Sequence, residues 1–247
     1  NYVAWQWKAG TSFTNDASST GIGSLDSTGS VNTDAGFSII SFAGASAVST
    51  VAHGLGVAPK MMIFKNRSDA DHWGVYHQSL GSNAAMYLNL TGAVDGTLWN
   101  NTAPTTSVFT VQNNSAVNGS DNNIIAYCFA EKKGYSKFSS YTGNGNADGA
   151  FVYLGFKPAF VMWKRTDTAN NWMMGDNKQT PFNPQDNMMR ADLANAQLST
   201  NPVDFLSNGF KIRLTGNAFN NSSGTYIYMA FAESPFVSSS GVPATAR

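Results

Sequence analysis

Several stretches of this 247-residue chain carry side chains that could do chemistry. In "NGNADG", Asn144, Asn146 and Asp148 alternate before Gly149, which is the front half of a calcium-binding loop. The bidentate Glu that such a loop needs at its twelfth position is replaced by Gly155, and one carboxylate binds calcium poorly. A tight turn is expected there. "SDADHWGVYH" gathers Asp69, Asp71, His72 and His77, but their spacing fits no standard metal site. A surface loop leading into a strand is expected. Glu131 and Glu233 close two similar segments, and nothing in the sequence sets them at the separation a glycosidase pair requires. Cys128 has no adjacent base, and no G-x-S-x-G or phosphate-binding loop occurs. No catalytic residue, metal ligand or cofactor is implied.

Trp73 and Trp172 stand at matching places in two similar segments. If exposed, each indole could stack on a sugar ring while a polar neighbour, His77 or Asp176, bonds its hydroxyls. If buried, they are core residues that a duplicated unit keeps alike. Both readings stand, the core being the first expectation. Trp73, His77, Trp172 and Asp176 are thus the candidate glycan contacts. Asn-X-Ser/Thr matches such as Asn66 and Asn118 follow from the composition alone.

The elements that position these residues are strands. "IAYCFAE" (from Ile125) returns as "IYMAFAE" (from Ile227), with a looser copy, "VAWQWKA", at Val3. In each, bulky residues recur every second position with mostly small ones between, the period of a strand. A longer repeat surrounds them. "GLGVAPKMMIFKNR" (from Gly54) corresponds to "YLGFKPAFVMWKRT" (from Tyr153), pairing Lys65 with Lys164 and, further on, Trp73 with Trp172. "KMMIFK" and "AFVMWK" are apolar on both faces and need cover on each. "AMYLNL" reads as a further strand; "NPQDNMMRADLANAQ" reads as a short helix or a strand, and its place opposite "AMYLNL" in the repeat favours the strand. The expectation is an all-β fold of two tandem, duplicated antiparallel β-sandwich units of jelly-roll or lectin-like type, 36–133 and 134–237. Residues 1–35 would hold the last strand of an upstream unit, making the chain the carboxyl-terminal part of a longer protein. A connector with a hairpin around "STGS" would follow, and 238–247 would be a tail.

Charged residues are 12% of the chain, about half the usual share of roughly 25%, and the net charge is zero, which argues against nucleic acid as a partner. Apolar residues reach 42%, so low charge does not mean disorder. One cysteine excludes an intrachain disulfide, and its place on a strand's slim face suggests an inert buried thiol. No apolar run approaches the roughly 20 residues that span a bilayer, so no membrane insertion is expected.

"HGLGVAPKMMIFKNRS", "NTAPTTSVFTV", "EKKGYSKFSSYTGNGNADG" and "YIYMAFAESPFVSSSGVPATAR" resemble a repeat family of unknown function in tail-fibre-like and structural virion proteins of tailed bacteriophages of aquatic hosts. The resemblance spans nearly the whole chain. It implies a non-enzymatic virion protein on the particle surface, a fibre- or spike-like appendage contributing to host-surface adhesion. Its partners would be other copies of itself as a homotrimer, other virion proteins and a host surface glycan. A carbohydrate-binding module is the alternative, and a glycan depolymerase a third.

Overall fold

A computed structural model of the chain describes residues 4–96 and 98–233. It divides into two units. The first takes the chain up to Leu88 and then Val94–Glu131; the second takes Asn89–Ala93 and the chain from Lys132. The fold is all-β, its described residues forming antiparallel sheets with two four-residue helices.

The first unit comprises β1 (Thr11–Asn15), α1 (Ala17–Thr20), β2 (Ser27–Asn32), β3 (Phe37–Ala43), β4 (Ser49–Ala52), β5 (Met61–Asn66), β6 (Gly74–His77), β7 (Met86–Tyr87), β8 (Val108–Val111), α2 (Ser115–Asn118) and β9 (Asn123–Phe129). One sheet has the order β1-β2-β3-β9-β5-β6-β7, and β4 pairs with β8 in another. The slim face of β9 (Ile124, Ala126, Cys128) turns to the core. Its small side chains leave room for the rings of Phe42, Phe64, Trp99 and Phe109, which pack at centroid distances of 5.1–5.9 Å. Val51, Phe109 and Val111 come from the β4–β8 pair, so the core lies between two sheets.

The amino-terminal stretch differs from expectation. Residues 4–10 form no strand. A period of two decides which side chains share a face, but it supplies no ladder partner. Trp7 instead meets Phe129 edge-on at 6.0 Å, and Lys8 O accepts from Asn32 Nδ2 at 3.3 Å. The expected connector supplies β1 and β2, which extend the first unit's own sheet. "STGS" is no turn: Ser27–Ser30 lie inside β2, and a Cβ on Gly29 would stand 1.9 Å from Ile39 O. The chain reverses at α1 instead. Asp16 caps that helix by accepting Ser19 N–H, and Gly21, at φ 67°, ends it. Of "AMYLNL" only Met86–Tyr87 is strand.

The second unit comprises β10 (Ser136–Thr142), β11 (Phe151–Tyr153), β12 (Pro158–Arg165), β13 (Trp172–Asp176), β14 (Gln185–Arg190), β15 (Leu198–Leu206), β16 (Gly209–Ile212) and β17 (Thr225–Ala232). All eight join one nearly closed, barrel-like sheet in the order β10-β17-β12-β13-β14-β15-β16-β11. Lys137 on one edge strand donates its Nζ to Tyr153 O on the other at 2.9 Å, and so bridges the seam. Trp163, Met188, Phe205, Phe210 and Tyr226 fill the interior. Leu154, Trp163, Phe129 and Phe231 are all buried. The expected tail, 238–247, lies outside the described residues. No helix among the described residues is long and apolar enough to cross a membrane.

Candidate functional site

The partly exposed aromatic cluster of the first unit is built from β5 upward. Lys65, near the end of β5, donates its Nζ to Asp69 O and Asp71 O at 3.0 and 2.9 Å. Next to it, buried Asn66 accepts the N–H groups of Ser68 and Asp69 and donates Nδ2 to Asp71 Oδ2. Ser115 Oγ donates to the other oxygen of Asp71. The loop before β6 is therefore fixed by polar contacts rather than by packing. The chain then drops onto the core at Gly74, where an added Cβ would stand 2.9 Å from Leu98 Cδ1 and 3.1 Å from Val117 Cγ1. This close approach leaves the preceding Trp73 half-buried at the rim.

Beside Trp73, the exposed His72 ring sits 5.3 Å from the half-buried Tyr87 ring, and Trp73 O accepts Leu88 N–H at 2.9 Å. Burial first, then the carboxylates of Asp95 and Asp71, push the Tyr87 phenol above its ordinary value. The hydroxyl thus stays protonated and can both donate and accept. His72, Trp73 and Tyr87 offer flat apolar rings rimmed by polar groups, an arrangement suited to stacking and hydrogen bonding.

The other candidate glycan contacts are placed differently. Trp172 is 1% exposed, and its backbone N–H donates to Asp192 Oδ1 at 3.0 Å. His77 is fully buried, with Nδ1 accepting Ser79 N–H. Asp176 is 3% exposed and accepts the N–H groups of Lys178 and Gln179 on Oδ1. These two side chains close the turns that follow their strands. Trp73 alone of the four keeps part of its surface open.

"NGNADG" is a turn knit by its own amides. Asn144 Oδ1 accepts Asn146 N–H, and Asn146 Oδ1 accepts Asp148 N–H. Buried Asn220 accepts Asn144 N–H on Oδ1 and donates Nδ2 to Asn144 Oδ1 and Asn146 O, each at 2.7 Å. Asp148 pairs with Lys211 at 2.7 Å. Among the described residues no three His, Cys, Asp or Glu side chains converge as metal ligands. Glu233 pairs with Lys157 at 2.6 Å, and Glu131 is exposed at the end of the first unit. Burial pushes the Cys128 thiol up to about 12, so it stays protonated and inert.

A family described as a domain of unknown function, DUF7483, matches residues 1–235. The chain belongs to the DUF7483 family. No curated protein and no solved structure matches it.

Four positions of this DUF7483 chain escape reading by residue type. Tyr87 joins the aromatic rim only through the pairing of β7 with β6. His53 is fully buried, with Nε2 against Thr105 O at 3.2 Å and Nδ1 accepting Leu55 N–H, and burial lowers its pKa. Lys164 is fully buried on two carbonyls, those of Thr91 and Arg165, and burial lowers its pKa to about 8 against an opposing effect of Asp192. Asn118, read from sequence as a glycosylation match, is buried. Its Oδ1 accepts Ala45 N–H and its Nδ2 donates to Ala47 O. The usable signal was repetition: Asn118 and Asn220 stand equally far before their Phe-Ala-Glu strands.

Proposed function

We propose that this chain is a non-enzymatic structural protein of a bacteriophage virion, a segment of a fibre- or spike-like appendage built from two tandem, duplicated β-sandwich units. The observation that carries the reading is a repeated frame. The order β3-β9-β5-β6-β7 of one sheet recurs as β10-β17-β12-β13-β14 in the other, and β4–β8 recurs as β11–β16. The register repeats too: Lys65 faces Ile125 as Lys164 faces Ile227, and Ala43 faces Asn123 as Thr142 faces Thr225. Asn118 clamps Ala45 and Ala47 as Asn220 clamps Asn144 and Asn146. A frame kept to the level of single hydrogen bonds fits a repeated structural module. The phage assignment rests on the resemblance of the quoted motifs. Gold-labelled antibody against the chain should decorate an appendage of intact particles; particles free of label under conditions that label the isolated chain would overturn the assignment.

The rim of His72, Trp73 and Tyr87 favours a second reading, a carbohydrate-binding module on that appendage. On a glycan array the chain would then bind host polysaccharide, and Trp73→Ala would lose the signal. Equal binding by the variant, or none by the parent chain, counts against it. Turnover of the polysaccharide would instead support a depolymerase.

A further inference from the structure

The sheet of the second unit turns two aromatic rings outward. On β11, Val152 points into the core, so Phe151 and Tyr153 on either side of it share the opposite face. Phe151 is 46% exposed and Tyr153 59%. A single exposed ring is ordinary, but two on one strand, about 7 Å apart, make a patch that the core does not use. Glycines let both rings lie close to the sheet. Tyr153 faces Gly209 on β16, where an added Cβ would stand 3.1 Å from Phe151 Cε2, so the Phe151 ring leans across that glycine. The Tyr153 ring and hydroxyl pass 3.5–3.8 Å from the place of a Cβ on Gly155, whose φ is 82°. Lys137 Nζ, 5.3 Å from the Tyr153 ring centroid, holds that ring from the neighbouring strand.

Polar groups follow in register. Phe151 faces Lys211 on β16, and Lys211 faces Asp204 on β15. Neighbouring strands lie about 4.8 Å apart, so ring, ammonium and carboxylate stand in one row on one face. Lys211 pairs with Asp148 at 2.7 Å, and Arg213 pairs with Asp204 at 2.9 Å. Each of these cations thus has a carboxylate beside it, and a polyanion would meet repulsion along with attraction. A cation next to a carboxylate suits vicinal hydroxyls instead, donating to one and accepting from the other. The flat C–H face of a pyranose suits an open aromatic ring.

We propose that the outer face of β11, β16 and β15 binds a neutral saccharide. One sugar ring stacks on Phe151, the next meets Tyr153, and their hydroxyls bond to Lys211, Asp148 and Asp204. This site belongs to the second unit and shares no residue with the rim of His72, Trp73 and Tyr87, so it stands whether or not that rim takes a ligand.

A microarray of bacterial surface glycans, neutral and acidic, tests this with the whole chain. The parent should bind neutral glycans and keep its signal in about 0.5 M sodium chloride, because the recognition is not a net-charge effect. Phe151→Ala and Tyr153→Ala should each weaken binding about three- to ten-fold while keeping a cooperative urea transition. Asp204→Asn, which keeps the side chain's shape, should weaken it too. Binding of no neutral glycan, or of acidic ones alone with loss in salt, overturns the proposal. Full binding by Phe151→Ala together with loss in Trp73→Ala also overturns it and leaves the rim as the site. A parent chain above its monomer mass of 26.4 kDa in light scattering, returned to that mass by Tyr153→Asp, gives the face to a second copy and overturns it as well.

Discussion

Replacing Asn220 by Ala should weaken the second unit by an amount that its hydrogen bonds set. Asn220 is fully buried and makes three bonds to the 144–146 turn: Oδ1 from Asn144 N–H at 2.9 Å, and Nδ2 to Asn144 Oδ1 and Asn146 O at 2.7 Å. A hydrogen bond of this kind contributes about 0.5–1.5 kcal/mol net, so three amount to about 2–4 kcal/mol. Asn144 and Asn146 are exposed and regain water when Asn220 is truncated, which favours the lower part of that range, about 2–3 kcal/mol. Asn118→Ala removes two such bonds in the first unit and should cost about 1–3 kcal/mol. The two residues serve separate cores and share no partner, so the double variant should lose the sum within about 0.5 kcal/mol. Urea unfolding followed by tryptophan fluorescence measures all three. A loss below about 0.5 kcal/mol for either single variant would refute the clamp, since only an exposed or already broken amide costs so little.

The buried histidine makes stability fall in acid. His53 has a folded pKa below its ordinary 6.5, so below that pH the unfolded chain takes up a proton that the folded chain refuses. Stability should drop as pH falls through 6.5, and His53→Gln should flatten that step in pH-dependent urea midpoints. Lys164 works at the other end. Its folded pKa is about 8 against an ordinary 10.5, so between these values the folded chain has lost a proton that the unfolded chain keeps, and stability should rise with pH. Lys164→Met should abolish that rise. Phe231, packed against Tyr135, Phe138 and Phe160 at 5.6–6.5 Å, should cost about 3–5 kcal/mol when truncated to Ala, read by the same unfolding assay. Exhaustive chelation should leave the melting temperature unchanged, because Asn220 and neighbouring amides occupy the oxygens of "NGNADG"; a large drop reversed by calcium would contradict this.

The central strands were legible because burial writes itself into side-chain size. β9 alternates bulky and small residues over Ile125–Phe129 and β17 over Met229–Ala232, and β5 and β12 are apolar on both faces. Even β14, with little apolar periodicity, was found from its place opposite "AMYLNL". The edge of the first sheet was not legible. β1 ("TSFTN") and β2 ("STGSVN") are half-exposed and carry no alternation, while Trp5 and Trp7 alternate without a strand. At the aromatic rim, residue type named Trp73 but not its exposure, which depends on how closely Gly74 approaches the core. Trp172, of the same type and in a similar stretch of sequence, is shut in. His77 and Asp176 have side chains fit for a ligand, yet both are turned inward to close turns. The asparagine clamps were invisible for a related reason: a buried amide and a surface sequon are spelled alike.

Cryo-electron microscopy of an intact particle would locate the chain and resolve its strands. The expected result is an appendage in which each chain contributes two antiparallel β units that superpose strand for strand, β3-β9-β5-β6-β7 on β10-β17-β12-β13-β14. Density that places the chain in no particle component, or an appendage whose two units fail to superpose over those five strands, would contradict it.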